Sequence, residues 1–291
     1  MQTSTKPQWI RIISMLLIIS VSLSATAAPK KEKKKKQEKT AQTKPAEQDA
    51  EYLALIADLK SADPEKIIFA VQMLGATGNP DAATHLIALL KTGPRNDITN
   101  MAIETLGALA NEDSIDTLLQ YLNHRRSDAR VAAIFALEGF SSPKIKSALE
   151  LKLRDSDPQV RSNAALALST KGDAESVPLL FLAFDRGVND AAVTIGKLGN
   201  AKDAIRLTEY LGRLDVTLLL PGFKEFILGA NIDEGTKLEI LNILFDLAGP
   251  DVRQFAVQIR AKLNAENPNI DAAENAIMRM LNKMINQIAQ E

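Results

Sequence analysis

A helical unit recurs about every 27 to 32 residues between Asp63 and Leu211, and this recurrence constrains the fold more than any other feature of the chain. In the copy that starts at Asp157, the Asp157 side chain can accept from the first free amides of a helix. Pro158 fits the first helical position, where a missing N–H costs nothing. Ala164, Ala167 and Leu168 fall on one helical face, and Gly172 is expected to take the left-handed conformation that ends the helix. A second apolar helix is expected over Ser176 to Phe184. The same design stands 94 residues earlier: Asp63-Pro64 opens it, Ala70, Met73 and Leu74 line the face, and Gly78 stops it. Ala83, Leu86, Ile87 and Leu90 follow on its second helix. Thr105-Leu106 and Asn111-Glu112-Asp113 repeat Met73-Leu74 and Asn79-Pro80-Asp81 at a spacing of 32. Arg130, Ala133, Ala136 and Leu137 precede Arg161, Ala164, Ala167 and Leu168 by 31. A shorter fifth copy carries Ala191, Ile195 and Gly199, then Leu207 and Leu211.

Each unit is thus two short helices and a turn, with more apolar surface than one hairpin can bury. Stacking covers the excess, because neighbours shield one another's faces along a continuous core. The expected fold class is all-α: an α-solenoid of antiparallel helix pairs behind a disordered N-terminal segment. The pattern Asp157-Pro158-x-Val160-Arg161-x-x-Ala164-x-x-Ala167-Leu168-x-x-x-Gly172 resembles the HEAT-like repeats of the short, phycobilisome-lyase type. The resemblance covers residues 60–211 well and 212–265 loosely. It implies a protein-binding scaffold in most cases, and bilin handling in a minority.

After Leu211 the rhythm changes. Pro221-Gly222 interrupts an apolar run, which predicts a stop or kink and irregular packing. A degenerate sixth unit is expected over Thr236–Leu247 and Asp251–Leu263. A last helix from Asp271, with Ile270, Ala273, Ile277, Leu281, Met284 and Ile288 along one face, is read as a cap; the alternative is a dimerising or partner-gripping helix. The expected organisation is therefore a signal peptide at 1–27, a lysine-rich disordered linker at 28–50, a solenoid at 51–266 and a capping helix at 267–291.

At the front, Lys6 and Arg11 precede an apolar run from Ile12 to Ser24, followed by Ala25-Thr26-Ala27. These are the parts of a secretory signal, with cleavage expected between Ala27 and Ala28. The run is shorter than the ~20 residues needed to span a bilayer. The lysines of Lys30–Lys36 oppose translocation, so membrane anchoring by an uncleaved N-terminal segment, with the array inside the cell, stays open. Otherwise the location is periplasmic or secreted, and Lys30–Lys36 is either a solubilising spacer or an electrostatic foot on an anionic envelope surface.

Charge narrows the partners further. Setting aside Lys6, Arg11 and the eight lysines and four acids of residues 30–50 leaves 25 basic and 32 acidic side chains on 51–291, a net of −7. An array that acidic is a poor match for a phosphate backbone, so nucleic acid is not an expected partner. No cysteine is present, which excludes disulfides and thiolate chemistry. The only histidines are His85, expected half-buried on a helix, and His124, in the loop His124-Arg125-Arg126. Acidic pairs such as Glu112-Asp113 read as helix caps, so catalysis, metals and cofactors are not expected. The candidate partner-binding residues are Tyr121 on a second helix, Arg125 and Arg126 in the loop, and Leu179, Phe181 and Leu182. The last three lie on Val177–Phe184, which is apolar all round: it is either buried on two sides or exposes a patch. The expected function is a non-catalytic protein–protein interaction scaffold of the bacterial cell envelope with an unidentified protein partner. The alternative is a chromophore lyase or another enzyme built on such repeats.

Overall fold

A computed structural model describes residues 45–269, 271–272 and 274–287. The signal, its Ala27–Ala28 junction, Lys30–Lys36, Ile270, Ala273 and Ile288 lie outside the described residues. The described chain is α-helical, and its helices stack in sequence order. A leading helix, α1 (Pro45–Asp58), starts within the segment read as linker. Seven pairs follow among the described residues: α2 (Pro64–Thr77) with α3 (Ala82–Lys91), α4 (Asn96–Leu109) with α5 (Ile115–Tyr121), and α6 (Ser127–Leu137) with α7 (Pro143–Lys152). Then come α8 (Pro158–Lys171) with α9 (Val177–Phe184), α10 (Ala191–Leu198) with α11 (Ala201–Thr208), α12 (Val216–Leu228) with α13 (Glu234–Leu247), and α14 (Pro250–Glu266) with α15 (Ala276–Gln287). First helices pack on first helices throughout, from α2 against α4 to α12 against α14.

Caps and small residues enforce this order. Asp63 accepts from the Glu65 amide at 3.0 Å, and Asp157 accepts from Gln159 at 2.8 Å and Val160 at 3.3 Å. Each precedes a proline at the first turn. Ala70, Ala102, Ala133, Ala164 and Ala191 are fully buried at equivalent points of successive first helices, where a larger side chain would push the row apart. Gly78 ends α2 at φ 63°, as expected, and Ala110 takes the same left-handed role after α4 at φ 51°. Gly172 does not. Its φ is −85°, and its amide instead bonds Leu168 O at 2.8 Å. A β-carbon there would lie 2.7 Å from that same carbonyl, so the glycine provides clearance rather than handedness.

Hydrogen bonds across one repeat period lock the register. Asn111 Nδ2 donates to Pro80 O at 2.8 Å, Lys171 Nζ to Phe140 O at 2.7 Å, and Tyr121 Oη to Leu90 O at 3.3 Å, each spanning 31 residues. Two arginines at the same repeat position do identical local work. Arg130 Nη1 donates to the carbonyls of His124 (2.8 Å) and Arg125 (3.2 Å), and Arg161 Nη1 to those of Asp155 (2.9 Å) and Ser156 (3.0 Å).

The stop expected at Pro221 is absent, and α12 runs through it. Asp215 caps this helix by accepting from the Thr217 amide at 2.8 Å, so the proline falls in the second turn. The carbonyl it leaves without a donor is that of Thr217, an exposed residue that water can serve. Gly222 then lets α12 lie against α10, because a β-carbon there would approach Ala192 O to 2.6 Å. The interruption is thus a close helix crossing. It also shifts the pairing: α12 is the first helix of a sixth unit, and Asp251–Leu263 belongs to the first helix of a seventh. The last helix starts at Ala276 rather than Asp271, after Asn275 Oδ1 accepts from the Met278 amide at 2.9 Å. Met278, Leu281 and Met284 are buried as it packs on α13 and α14.

Candidate partner-binding surface

Helix dipoles and the repeat together sort the charges of the array onto two edges. Second helices begin at one edge, where acids are favoured, and end at the other, where bases are favoured. At the starting edge the acids are strapped across units by α7: Lys144 reaches Asp116 at 3.0 Å, and Lys146 reaches Asp173 at 2.6 Å and Glu175 at 3.2 Å. Asn111, rather than the Glu112-Asp113 pair, caps its turn by accepting from the Asp113 amide at 2.9 Å, and Asp173 accepts from the Glu175 amide at 3.0 Å.

At the opposite edge each loop carries acids that are already engaged. Asp97 pairs with Arg95 at 2.6 Å, and Asp128 accepts from Asn100 and from Arg126, each at 2.9 Å. Asp155 pairs with Arg130 at 2.6 Å, Asp185 accepts from Tyr210 Oη at 2.6 Å, and Asp190 accepts from Ser162. Burial pushes the Asp155 carboxyl up, but the Asp157 amide, Arg130 and Lys152 outweigh it and hold it below the ordinary carboxylate value. Arg125, Arg154 and Arg186 remain, exposed and without an acid partner among the described residues.

The candidate residues divide under this geometry. Tyr121 is half-buried: its hydroxyl ties α5 to α3 through Leu90 O, and its ring stacks on His124 at 5.4 Å. Burial, then the charges of Arg126 and Arg125, push the His124 imidazole down, and its Nδ1 accepts from the Arg126 amide at 3.2 Å. Arg126 is a strap, donating to Asn100 Oδ1 at 3.1 Å as well as to Asp128. It is committed to the fold, whereas Arg125 is open. Phe181 is fully buried, with the Arg206 guanidinium 4.0 Å from its ring centre and Tyr210 stacked at 6.4 Å. It therefore contributes nothing to a surface patch. Leu182 is 44% exposed and Leu179 half-buried, so α9 is buried on one side and open on the other.

Leu179 and Leu182 share a groove of about 300 Å³ between α7 and α9 with Leu151, Arg154 and Arg186. Leu151, 72% exposed, was not singled out in the sequence because it lies beyond the core stripe of α7. Two of the arginines did carry a signal: Arg154 and Arg186 each stand two residues beyond the end of a second helix, 32 apart, whereas Arg125 stands just before the start of α6. Glu150, also on the groove, spends its carboxylate on Ser176 Oγ at 2.6 Å. A second hollow of about 580 Å³ opens between α1 and α3, lined by Ile56, Leu59, Ile67 and His85. His85 is half-buried there, as expected. Both openings lie along the second-helix row. Among the described residues, no cluster of three or more His, Cys, Asp or Glu could hold a metal, and no helix is long and apolar enough to cross a membrane.

The chain carries HEAT-like repeats: residues 52–129 and 115–191 match the HEAT repeats family. No characterised protein matches it in sequence. Among solved structures it is similar to the complex of CpcE and CpcF of phycocyanin lyase from Nostoc sp. PCC7120, at 18% identity and a TM-score of 0.45, over 89% of this chain and 100% of that one. It is also similar to a crystallised engineered protein, at 14% identity and a TM-score of 0.33, over 82% of this chain and 97% of that one.

Proposed function

We propose that this protein is a non-catalytic interaction scaffold whose second-helix row holds a protein partner, and that it works in the bacterial cell envelope. The observation carrying this reading is the placement of Leu151 and Leu182. Large aliphatic side chains stand open to solvent beside a groove on an otherwise well-filled helix row. The first-helix row also exposes Phe69, Phe135 and Leu166, but none of these lines the hollow of about 510 Å³ between α1 and α2. Exposed aliphatic groups beside a concave surface are what a partner covers. Export rests on the Ala25-Thr26-Ala27 site behind the apolar run.

The test is site-specific photocrosslinking in cells, with the photoreactive residue at Leu151 or Leu182 on the second-helix row, or at Phe69 on the first. A discrete protein adduct from the first two positions and none from Phe69 is expected. Adducts of equal yield from all three, or none from any, would count against the scaffold. N-terminal sequencing of the native chain should begin at Ala28; an intact Met1 end on a membrane-bound protein would overturn the envelope placement.

A further inference from the structure

We infer that the groove between α7 and α9 is a seat for an acidic amphipathic helix, with Arg154 and Arg186 as the charges that select it; this rests on the scaffold reading above. Three features of the groove point to that occupant. Its apolar lining of Leu151, Leu179, Leu182 and Ala183 calls for aliphatic side chains. Its two rim cations have no acid partner among the described residues, and its only lining carboxylate, Glu150, which accepts from Ser176 Oγ, is outnumbered by them. An anion arriving there meets two guanidiniums against one lining carboxylate.

The spacing chooses the ligand's shape. Arg154 and Arg186 end second helices of adjacent units, and packed helices lie roughly 8–10 Å apart. On a helix, residues i and i+7 share a face and stand about 10.5 Å apart. Carboxylates at i and i+7 therefore match the two arginines, and leucines at i+3 and i+4 fall between them, over the groove. Nucleic acid offers no aliphatic anchor to the groove. A lipid surface has no reason to require a fixed carboxylate spacing.

The experiment uses the full-length chain and a fluorescein-labelled, hydrocarbon-stapled peptide with Glu at i and i+7 and Leu at i+3 and i+4. Fluorescence anisotropy should show saturable binding that weakens as salt is raised. Replacing both Arg154→Glu and Arg186→Glu should weaken it by about tenfold or more, a change of ~1.4 kcal/mol. Leu182→Ser should weaken it comparably, because that side chain already faces water and its loss leaves the core intact. Phe69→Ser on the other row should have no effect. Equal binding of a lysine-for-glutamate peptide, insensitivity to the groove substitutions, or preference for phosphatidylglycerol vesicles would overturn the proposal. So would absence of binding. In that case a specific crosslink from Leu151 or Leu182 would still uphold the scaffold with a different ligand, whereas failure of both experiments would remove both readings.

Discussion

Replacing Arg130 by Met should destabilise the array by roughly 2–3 kcal/mol, toward or below the lower end of the ~3–5 kcal/mol seen when one member of a buried ion pair is removed. Arg130 and Asp155 are 10% and 7% exposed at the side chain and meet at 2.6 Å, joining α6 to the loop before α8. Loss of the guanidinium strips Asp155 of its main counter-charge and leaves the His124 and Arg125 carbonyls without their donor. Two features hold the cost down. Asp155 keeps the Asp157 amide at 3.0 Å and Lys152 at 3.6 Å, and Arg130 Nε is itself buried without a partner. Arg161 is the internal control: it makes the same two carbonyl bonds but no ion pair among the described residues. Arg161→Met should cost only about 1 kcal/mol. Urea unfolding followed by circular dichroism measures both variants, and hydrogen exchange of α6 and α8 amides guards against partial unfolding of a repeat array. A double-mutant cycle with Asp155→Leu should return a coupling well above ~0.5 kcal/mol. The Asp155 carboxyl sits below its ordinary value, so its contribution is complete above about pH 4 and fades as pH falls through the folded value. The wild-type advantage over Arg130→Met should shrink in that acidic window. An Arg130 variant no costlier than its Arg161 counterpart would refute the argument.

Ala110→Gly should stabilise the protein by up to ~1 kcal/mol, since a left-handed residue at φ 51° is strained for alanine and free for glycine; a lowered urea midpoint would contradict this. Gly222→Ala should destabilise by roughly 1–3 kcal/mol through overpacking against the Ala192 carbonyl, read as a drop in thermal midpoint. The His124 imidazole is held below its ordinary value, so the folded chain binds fewer protons there than the unfolded one and should lose stability as pH falls below about 6.5. His124→Asn should remove that slope from urea titrations run across the window, and an unchanged slope would locate it elsewhere.

The repeat from Asp63 to Leu211 was legible because its signals are local: a capping aspartate, a proline at the first turn, and alanine and leucine on one face. Phase was lost at Pro221-Gly222, where a breaker in sequence becomes a packing device in space. That outcome depends on the distance from the Asp215 cap and on the presence of α10 opposite, neither of which composition reveals. The site was half legible for a related reason. Arg126, Tyr121 and Phe181 look available in a loop or on an all-apolar helix. Their true partners, Asn100, Leu90 and Arg206, lie about 25 to 31 residues away, in the neighbouring unit. Leu151 and Leu182 stay open because α7 and α9 leave a groove where they would otherwise meet.

The open arginines follow from how such an array must be joined. Every loop from a second helix to the next first helix serves two dipoles at once, ending one helix and starting another. The starting helix draws an acid: Asp63, Asp97, Asp128, Asp157, Asp190 and Asp215 all stand at such starts. The ending helix favours a base, as Arg154 and Arg186 supply. Capping amides, internal arginines and hydroxyls of adjacent units consume the acids, because those bonds also fix the register between units. Lys152 finds Asn123 and Asp155, but Arg154 and Arg186 have no equivalent internal acceptor left to them. An array whose net charge is negative thereby leaves two arginines open beside the groove. The acids could not be removed to favour the arginines without loosening the stack, so stability and the open arginines are set by the same loops.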